Sequence, residues 1–445
     1  MTTHSHAEMP PEAQMMLAAA WQAQCAGRLR AAGSGYRRVL ARWPDLADAH
    51  HSFGLWQYQS GQGEAALASL QRAVTLASAR ADWHNDLGNL YTALGRDDEA
   101  AAAFIASLEC DVHQAPVWRN LGAVLQRGGH LDEALTAFEK ALALDVTRAE
   151  AWCDLAALHE ALGNVLEAAH CQCQAYVLPP HEAKPRRLLA TSFYVLGRID
   201  EAAEVYRQWL DAEPGNPIAE HMLAACTVEN VPPRASDAYL EMYFDQASVQ
   251  FDNKMLDTLD YRIPELIGQM LAEYDLPAHG LNVLDAGCGT GLCGSFLAPW
   301  ARELIGIDLS SKSLALAAKK DCYDALHQVE IVSYLQRHPA YFDLIASADT
   351  FIYFGALEPF LNAAAASLTA GGLLVASVEE RFEQDGFGIT PSGRYNHTQD
   401  YLRAALAAAG LTLLTLNQVT VRVELGRPVP GLLLVARKNA SFSRP

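Results

Sequence analysis

Two different periods of hydrophobic and polar residues divide this chain. From residue 13 to about residue 216, apolar residues recur at helical spacing in units of 34 residues. Small residues mark the same point of six units: Ala32, Ala66, Ala100, Ala134, Ala168 and Ala202. Beyond the Pro-Pro pair at 232–233 this period stops, and short apolar runs alternate with amphipathic segments. The first pattern predicts stacked helical hairpins, and the second predicts strands alternating with helices.

The 34-residue units also share a mostly large, apolar position four residues after the small one. This position holds Tyr36, Leu70, Phe104, Phe138, Gln172 and Tyr206. The small residue lets the second helix of a unit approach the first, and the larger one fills the gap to the next unit. Each unit therefore buries its apolar face only by stacking on a neighbour. Residues 217–229 are predicted to form a final capping helix.

This register resembles that of tetratricopeptide repeats. The resemblance implies an all-α solenoid over residues 13–229, with about six repeats and a capping helix, whose concave groove binds a peptide or protein. Amides and charged side chains in such a groove can pair with an extended peptide backbone. The predicted substrate-binding residues of the groove are Asn85, Asn89, Arg119 and Asn120. The alternative for each of them is a solvated polar position on a helical surface.

The second half of the chain begins with a strand, a glycine-rich turn and a helix. The strand is predicted over residues 281–285 and the turn over 287–291. Three further strands are predicted in "ELIGIDLS", "YFDLIASAD" and "GGLLVASVEE", and two more β-rich runs close the chain. This alternation predicts a doubly wound, Rossmann-like α/β domain over residues 281–438, with a parallel sheet and an antiparallel edge strand.

The glycine turn has the pattern Asp-x-Gly-x-Gly-x-Gly, formed by Asp285, Gly287, Gly289 and Gly291. Dinucleotide-binding turns have a longer Gly-x-Gly-x-x-Gly spacing. An aspartate at the strand end would repel a pyrophosphate, but it suits a cationic ligand that carries an amino acid. Asp308 ends the second strand, where a carboxylate can bind both hydroxyls of a ribose.

These residues resemble motif I and the acidic motif of class I S-adenosylmethionine-dependent methyltransferases. The resemblance covers about residues 240–437 and implies S-adenosyl-L-methionine as the cofactor. It implies that Asp285 holds the methionine portion, Asp308 the ribose, and that Glu330 lies near the adenine and Asp349 beside the sulfonium. The predicted cofactor-binding residues are Asp285, Ala286, Gly287, Gly289, Gly291, Asp308, Leu309, Glu330, Ile331, Asp349 and Arg262.

The chain also looks like bacterial methyltransferases that carry tetratricopeptide repeats before the catalytic domain. Under that resemblance, residues 230–280 form a linker and a helical lid between Tyr243 and Tyr261, and Arg262 reaches a carboxylate. Phe251 stands where related lids often have tyrosine, so this chain departs from the pattern there. An amphipathic helix pair that covers the sheet is the alternative interpretation of this segment.

The stretch "ITPSGRYNHTQDY" at residues 389–401 follows the fifth predicted strand, where class I methyltransferases commonly shape the acceptor pocket. We predict His397 as a general base and Tyr395 as a group that shares that role. Arg394 is predicted to grip an acceptor carboxylate through two hydrogen bonds, with Arg422 as a second cation. The alternative is structural: a turn at residues 391–393, a helix cap, and a histidine that packs against the lid.

Composition narrows the classes of partner. The formal net charge is −19, which disfavours nucleic acid as a ligand. The nine cysteines include only one close pair, Cys171 and Cys173, so free thiols in the cytoplasm are expected and no metal site. The N-terminal stretch lacks the features of a signal peptide, and no membrane span is expected. The oligomeric state stays open.

Three functions are compatible with these patterns. The first is methylation of a peptide or protein that the repeats recruit. The second is a small-molecule methyltransferase of a biosynthetic pathway whose repeats serve assembly, and the third is a non-catalytic scaffold. The residues after the fourth strand, 349–352, are not an Asn-Pro-Pro-Tyr sequence, which argues against adenine or glutamine N-methylation. Methylation of oxygen, nitrogen, carbon or sulfur otherwise stays open.

Overall fold

A computed structural model describes residues 9–247, 255, 259–382, 386–424 and 426–439. The chain divides into two compact units, whose boundary in the sequence lies between His181 and Glu182. The predicted lid between Tyr243 and Tyr261, with Phe251, lies largely outside the described residues. Among the helices that the structure describes, none combines the length and the apolar character needed to cross a membrane.

The first unit is built from ten described helices that pair in sequence order. They are α1 (Pro11–Cys25), α2 (Leu29–Arg42), α3 (Ala47–Gln59), α4 (Gly63–Leu76), α5 (Ala81–Ala93), α6 (Asp97–Cys110), α7 (Ala115–Arg127), α8 (Leu131–Leu144), α9 (Ala149–Ala161) and α10 (Val165–Val177). A glycine with positive φ follows the first helix of each pair, as at Gly61 (φ 77°) and Gly95 (φ 72°). Glycine adopts the left-handed backbone conformation at a helix end with little steric cost. One glycine per repeat therefore allows the chain to turn from the first helix into the second.

The repeat core follows the predicted positions. Ala66, Ala100 and Ala134 are fully buried, and Phe104 and Phe138 are buried beside them. Gly88 of α5 faces Phe104 so closely that a Cβ at residue 88 would lie 2.6 Å from two carbons of its ring. Gly88 thus makes room for Phe104, and Gly122 of α7 does the same for Phe138 of α8.

Replacing Gly88 by alanine is therefore expected to destabilise the first unit. Overpacking a filled core costs about 1–3 kcal/mol, whereas alanine gains up to about 1 kcal/mol in helix propensity. The net loss is measured by urea unfolding of the full chain. Glu109→Ala, at an exposed position of the same repeat, is the control and should stay within about 0.5 kcal/mol. An unchanged midpoint for Gly88→Ala would show that Phe104 moves without cost.

The second unit starts with three helices that continue the helical pattern and then joins them to an α/β sheet. Its described helices are α11 (Arg186–Val195), α12 (Ile199–Ala212), α13 (Pro217–Thr227), α14 (Asp237–Ala247), α15 (Ile263–Leu271), α16 (Gly294–Leu297), α17 (Ser311–Ala317), α18 (Ile331–Gln336), α19 (Glu358–Ser367) and α20 (Gln399–Ala408). Single 3₁₀ turns cover Ala318–Lys320 and Phe351–Tyr353. The predicted domain boundary at residue 229 marks the end of the repeat pattern and stays a prediction.

Nine strands form one sheet in the described part of the second unit. They are β1 (Leu281–Ala286), β2 (Ala301–Asp308), β3 (Ala325–Gln328), β4 (Phe342–Ser347), β5 (Leu368–Glu380), β6 (Phe387–Ile389), β7 (Tyr395–His397), β8 (Leu411–Glu424) and β9 (Arg427–Lys438). The strands in the order β3-β2-β1-β4-β5 are all parallel, and the direction in which successive strands are added reverses between β1 and β4. Ligands of doubly wound folds bind at the carboxyl ends of such strands.

Two antiparallel hairpins extend the sheet beyond β5. Strand β9 pairs with β5 and with β8, and strands β6 and β7 form a second hairpin that meets the end of β5. The predicted fold class is confirmed: a helical repeat array precedes a mostly parallel α/β domain with an antiparallel strand pair. The hairpins matter for the site because they bring residues 394, 422 and 424 to the carboxyl end of β5.

Helices α12 and α13 pack against α14 within the second unit. Ile218 of α13 lies in one apolar cluster with Tyr239 and Leu240 of α14, and Trp209 of α12 packs against it. The ring of His221 lies 4.0 Å from that of Tyr239, centroid to centroid. The helical elements at residues 199–247 are therefore part of the same packed structure as the sheet.

Candidate active site

A cavity of about 550 Å³ lies in the second unit at the carboxyl ends of the central strands. Its walls come from the turn after β1, the ends of β2 and β8, the segment after β4, helix α14 and residues 259–264. Most predicted cofactor residues line it: Asp285, Gly287, Gly289, Asp308, Leu309, Glu330, Ile331 and Asp349. The sequence pattern thus predicted several of the residues that line this cavity.

The glycine turn forms a cradle whose shape only glycine permits. Gly287 has φ 80°, and a Cβ there would lie 2.4 Å from Oγ1 of Thr350. Gly291 has φ 84° and abuts Ala317 and Tyr323. Gly289 has φ 53° and open space around it, so a ligand can approach its backbone directly. Ala286 ends β1 fully buried and accepts hydrogen bonds through its carbonyl oxygen from Ser347 and Thr350.

Asp285 places a carboxylate with unused bonding capacity beneath this cradle. The side chain is 1% exposed, and Tyr323 Oη donates to its Oδ2 at 2.7 Å. Its Oδ1 is buried and has no hydrogen-bond partner among the described residues. Burial raises the pKa of Asp285 to about 7 and Asp308 adds to the rise, whereas the Tyr323 hydrogen bond opposes it. A ligand ammonium would satisfy both the free oxygen and the buried charge.

Asp308 connects the second strand to the glycine cradle. Its Oδ2 accepts from the backbone N–H of Gly289 at 2.9 Å, and its Oδ1 accepts from Ser310 N–H at 2.8 Å. Burial raises the pKa of Asp308 in spite of these bonds. Each carboxylate oxygen has a second lone pair, so the group can also accept from hydroxyls of a ligand in the cavity. Its place fits the predicted ribose contact.

Glu330 lies shortly after the end of β3 and caps helix α18. Its two carboxylate oxygens accept from the N–H groups of Val332 and Ser333 at 3.0 and 2.7 Å. Arg234 lies 3.6 Å from it and also lines the cavity. Burial raises the pKa of Glu330, but the backbone hydrogen bonds outweigh that effect and the pKa falls below its ordinary value. Glu330 and Ile331 therefore form a fixed wall at the end where an adenine is predicted.

Arg262 lies outside the residues that line the cavity. Its exposed guanidinium forms a bidentate pair with Glu265, at distances near 3.0 Å. The predicted role of Arg262 in binding the cofactor gains no support from this placement, and we leave it out of the site. The neighbouring Tyr261 and Pro264 line the cavity instead.

Two arginines and three carboxylates form an ion-pair network in and behind the cavity wall. Arg422 is 1% exposed. It pairs with Glu379 and donates to both oxygens of Asp349 at 3.3 and 3.4 Å. Arg394 donates to Glu424 through both terminal nitrogens, at 2.7 Å for Nη1.

Within this network, Asp349 has φ 52°, and its backbone N–H donates to Ser377 Oγ at 2.8 Å. The arginines predicted to bind an acceptor carboxylate are in the cavity wall, as expected. Their guanidiniums, however, are already matched by carboxylates of the protein itself. This prediction needs correction, because an acceptor carboxylate would have to displace Glu424 or Asp349 and leave it unpaired in a buried site.

His397 and Tyr395 do not reach the cavity. Both side chains are fully buried, with His397 Nε2 3.0 Å from the carbonyl oxygen of Gly355 and Tyr395 Oη donating to Pro232 O at 2.7 Å. Burial lowers the pKa of His397 to about 4, although the backbone hydrogen bonds oppose the shift. We therefore withdraw the role of general base for His397 and the shared role for Tyr395: neither ring contacts the space where an acceptor would lie.

The structural alternative describes residues 389–401 better. Gly393 has φ 82° and closes a turn by donating to Thr390 O at 2.8 Å. Thr398 caps helix α20 through Tyr401 N–H, and Tyr401 Oη donates to Glu358 at 2.9 Å. His221 of α13 lies 2.8 Å from the Gly393 carbonyl oxygen. This hairpin fixes Arg394 in the cavity wall and anchors the turn to α13.

The buried His397 makes stability depend on pH. Its folded pKa lies below the unfolded value of about 6.5, so the unfolded chain binds the proton first and stability falls as the pH drops. The contribution is roughly 2 kcal/mol between pH 7 and pH 5. His397→Gln should remove this share of the pH dependence in urea unfolding and should leave the predicted methyl transfer by the folded variant unchanged. The exposed His113→Gln is the control. Loss of turnover without loss of stability would restore His397 to the mechanism.

The predicted groove residues of the first unit pair mostly with one another. Arg119 forms an ion pair with Asp154, and Asn120 Nδ2 donates to Asn89 Oδ1 at 3.1 Å. Asn85 differs, because its Oδ1 is buried and lacks a partner within the described part of the chain. Asn85 therefore holds a buried amide oxygen that no described group satisfies.

Glu379, Glu424, Arg234 and three aromatic residues of the cavity wall were not predicted as site residues; the aromatic residues are Tyr243, Phe244 and Tyr353. Glu424 had a detectable signal: it stands two residues after Arg422 on strand β8, so both side chains project from the same face. Glu379 and Arg234 reach the site from separate parts of the chain, through sheet pairing and through the bridge between residues 234 and 354. Local sequence patterns do not predict such contacts between residues that are far apart in the sequence.

Comparison with known proteins gives matches for both parts of the chain. The family described as "Methyltransferase domain" matches residues 284–374, and families described as "Tetratricopeptide repeat" match residues 78–145, 119–186 and 174–217. The curated "Ubiquinone biosynthesis O-methyltransferase" of Chelativorans sp. (strain BNC1) is 27% identical over 30% of this chain and 60% of that protein. The protein of the same description from Azoarcus sp. (strain BH72) is 28% identical over 32% of this chain and 68% of that protein.

A solved S-adenosylmethionine dependent methyltransferase from Mesorhizobium loti is 22% identical, with a TM-score of 0.31, over 39% of this chain and 96% of that one. The match to the Chelativorans protein spans only 60% of the length of that relative. The matched residues 284–374 include the glycine turn, Asp308, Glu330 and Asp349, and the matched repeats lie within residues 78–217.

Proposed function

The chain joins tetratricopeptide repeats to a methyltransferase domain, and from that premise we propose that it methylates a peptide or protein recruited by the repeats, with S-adenosyl-L-methionine as the methyl donor. The observation that carries the proposal is the buried, unpartnered Oδ1 of Asp285 under an open glycine cradle. A dinucleotide phosphate would be repelled there, whereas the ammonium of a methionine moiety completes the bonding.

The residues present fit this cofactor. Asp285 would hold the ammonium, Asp308 the ribose hydroxyls, and Glu330 and Ile331 would border the base. When bound, S-adenosyl-L-methionine supplies an electrophilic methyl group on a sulfonium. Methyl transfer is an in-line displacement, so the main task of the protein is to position the acceptor and exclude water.

Positioning of the acceptor falls to the other end of the cavity. Tyr243, Phe244 and Tyr353 line it with aromatic rings, and the arginine–carboxylate network fixes the polar end. Ion pairs on both sides hold Asp349 and Glu424 in place, so little reorganisation is needed during transfer.

Recruitment is assigned to the groove of the first unit. Tetratricopeptide arrays bind extended segments through side chains of their first helices. Asn85 offers an unpaired amide oxygen in such a helix. We place the activity in the cytoplasm as part of the same proposal, because the nine cysteines are free thiols.

The proposal is tested with the full chain in two measurements. Calorimetric titration should detect S-adenosyl-L-methionine binding, and Asp285→Asn should weaken it. Peptide arrays incubated with tritiated cofactor should then give labelled spots. Asn85→Ala should lower their number without changing cofactor affinity, and Glu109→Ala should leave both unchanged. Transfer to small metabolites alone, with no peptide labelled, would favour the small-molecule alternative. Absence of cofactor binding would contradict the proposal that the chain is a methyltransferase.

A further inference from the structure

The acceptor end of the cavity combines aromatic faces with negative charge. The rings of Tyr243 and Phe244 meet edge-on at 5.4 Å, and those of Phe244 and Tyr353 meet edge-on at 5.5 Å. All three residues line the cavity. Asp349 and Glu424 line it too and supply carboxylates beside these rings. Aromatic faces and carboxylates both attract organic cations, and Tyr243 already contacts one such group, because the guanidinium of Arg187 lies 4.9 Å from its ring centroid.

The network beside these rings has an excess of carboxylate. It contains two guanidiniums, Arg394 and Arg422, against three carboxylates, Asp349, Glu379 and Glu424. The formal charge of this group is therefore −1, with Asp349 and Glu424 lining the cavity and Glu379 outside its lining. Arg394 forms a bidentate pair with Glu424, and Arg422 Nη1 donates to Asp349, so an incoming anion finds few free N–H groups besides the Nε of Arg422.

Methyl transfer to an amine moves positive charge toward this end. In the transfer step itself, the sulfonium would become a neutral thioether and the deprotonated amine would become a methylated ammonium. Carboxylates that contact the acceptor nitrogen would stabilise the charge that forms there, which lowers the barrier of this step. A phenolate or carboxylate acceptor would instead enter against these charges.

We propose that the methylated group is an aliphatic amine, bound as its ammonium among Tyr243, Phe244, Tyr353, Asp349 and Glu424. The inference rests on the proposed methyltransferase function and deepens it by naming the class of acceptor. In a peptide substrate, such a group is a lysine side chain or a free amino terminus.

The step balances as follows. The bound ammonium releases one proton to Asp349, Glu424 or water and becomes a neutral amine. Its lone pair forms the new N–C bond, while the C–S bond breaks and its electron pair stays on sulfur. The products are a neutral thioether and a methylated ammonium. The amine nitrogen keeps its remaining protons, and no oxidant or reductant takes part.

The test compares two probes on the full chain saturated with S-adenosylhomocysteine. 2-Phenylethylamine and 3-phenylpropanoate share a ring and a two-carbon linker, but one ends in an ammonium and the other in a carboxylate. We expect the amine to bind about ten-fold tighter or more at pH 7.5, by calorimetry or ligand-observed NMR. When S-adenosyl-L-methionine replaces S-adenosylhomocysteine, mass spectrometry should show one methyl group added to the nitrogen of 2-phenylethylamine.

Variants check the source of the preference. Glu424→Gln and Asp349→Asn should each reduce the preference for the amine by several-fold, and Glu265→Gln, an exposed paired carboxylate outside the cavity, should not. If either cavity variant fails to fold, the ratio of the two probe affinities in the unaltered protein still tests the inference. Equal affinities, a preference for the carboxylate, or no measurable binding of either probe would overturn the inference. Failure of S-adenosylhomocysteine itself to bind would instead contradict the proposed function, and the inference with it.

Discussion

Replacing Arg422 by methionine is expected to lower the free energy of unfolding by about 3–5 kcal/mol. The guanidinium is almost fully buried and pairs with Glu379 and Asp349, also largely buried. Without it, both carboxylates stay in a dry environment without compensation. Urea unfolding at pH 7.5 measures the loss. Arg262→Met removes an exposed pair with Glu265 and serves as the matched control, with an expected change under about 1 kcal/mol.

The Arg422→Met variant should regain part of its lost free energy of unfolding at acidic pH. Burial raises the pKa of Glu379, while the nearby arginines oppose that shift. Removing Arg422 raises this pKa further, so the folded variant takes up a proton at a higher pH than the unfolded chain. Stability gained by protonation is present at low pH and is lost as the pH rises through the folded pKa. A deficit that does not shrink between pH 7.5 and pH 5 would contradict the view that unpaired charge is the cause.

Replacing Asp308 by alanine is expected to weaken S-adenosyl-L-methionine binding by about 100-fold or more. Hydrogen bonds that involve a charged group contribute about 1.5–3 kcal/mol each, and a ribose offers two hydroxyls to this carboxylate. The variant also frees the Gly289 N–H and so loosens the cradle. Calorimetric titration measures the change. Asp275→Ala, an exposed carboxylate outside the cavity, is the control. An affinity within a few-fold of the unaltered protein would remove Asp308 from the cofactor site.

The fold and the cofactor end of the site were predictable because their determinants are local. A 34-residue period specifies one helical hairpin at a time. The turn from Asp285 to Gly291 carries its strand end, its left-handed glycines and its carboxylate within seven consecutive residues. Asp308 then follows from the rule that parallel strands end at one edge of the sheet.

The acceptor end depends on pairings that no local pattern contains. His397 has the residue type of a general base, yet β7 pairs with β5 and β6 at this point and encloses the ring. Arg422 has the residue type of an anion-binding group, yet strands β5 and β8 and the turn after β4 bring three carboxylates to it. The sequence shows which groups are present, whereas their partners depend on sheet register and hairpin closure.

The boundary between His181 and Glu182 bears on how substrate choice can change. Because α12 and α13 pack against α14 and His221 contacts the hairpin turn, these helices belong to the same compact unit as the sheet. Repeats upstream of residue 182 form a compact unit of their own, so we expect that they can be exchanged, lengthened or shortened while the packing inside the second unit is kept. Under the proposed function, chimeras joined at this point offer a route to new polypeptide substrates with the same chemistry.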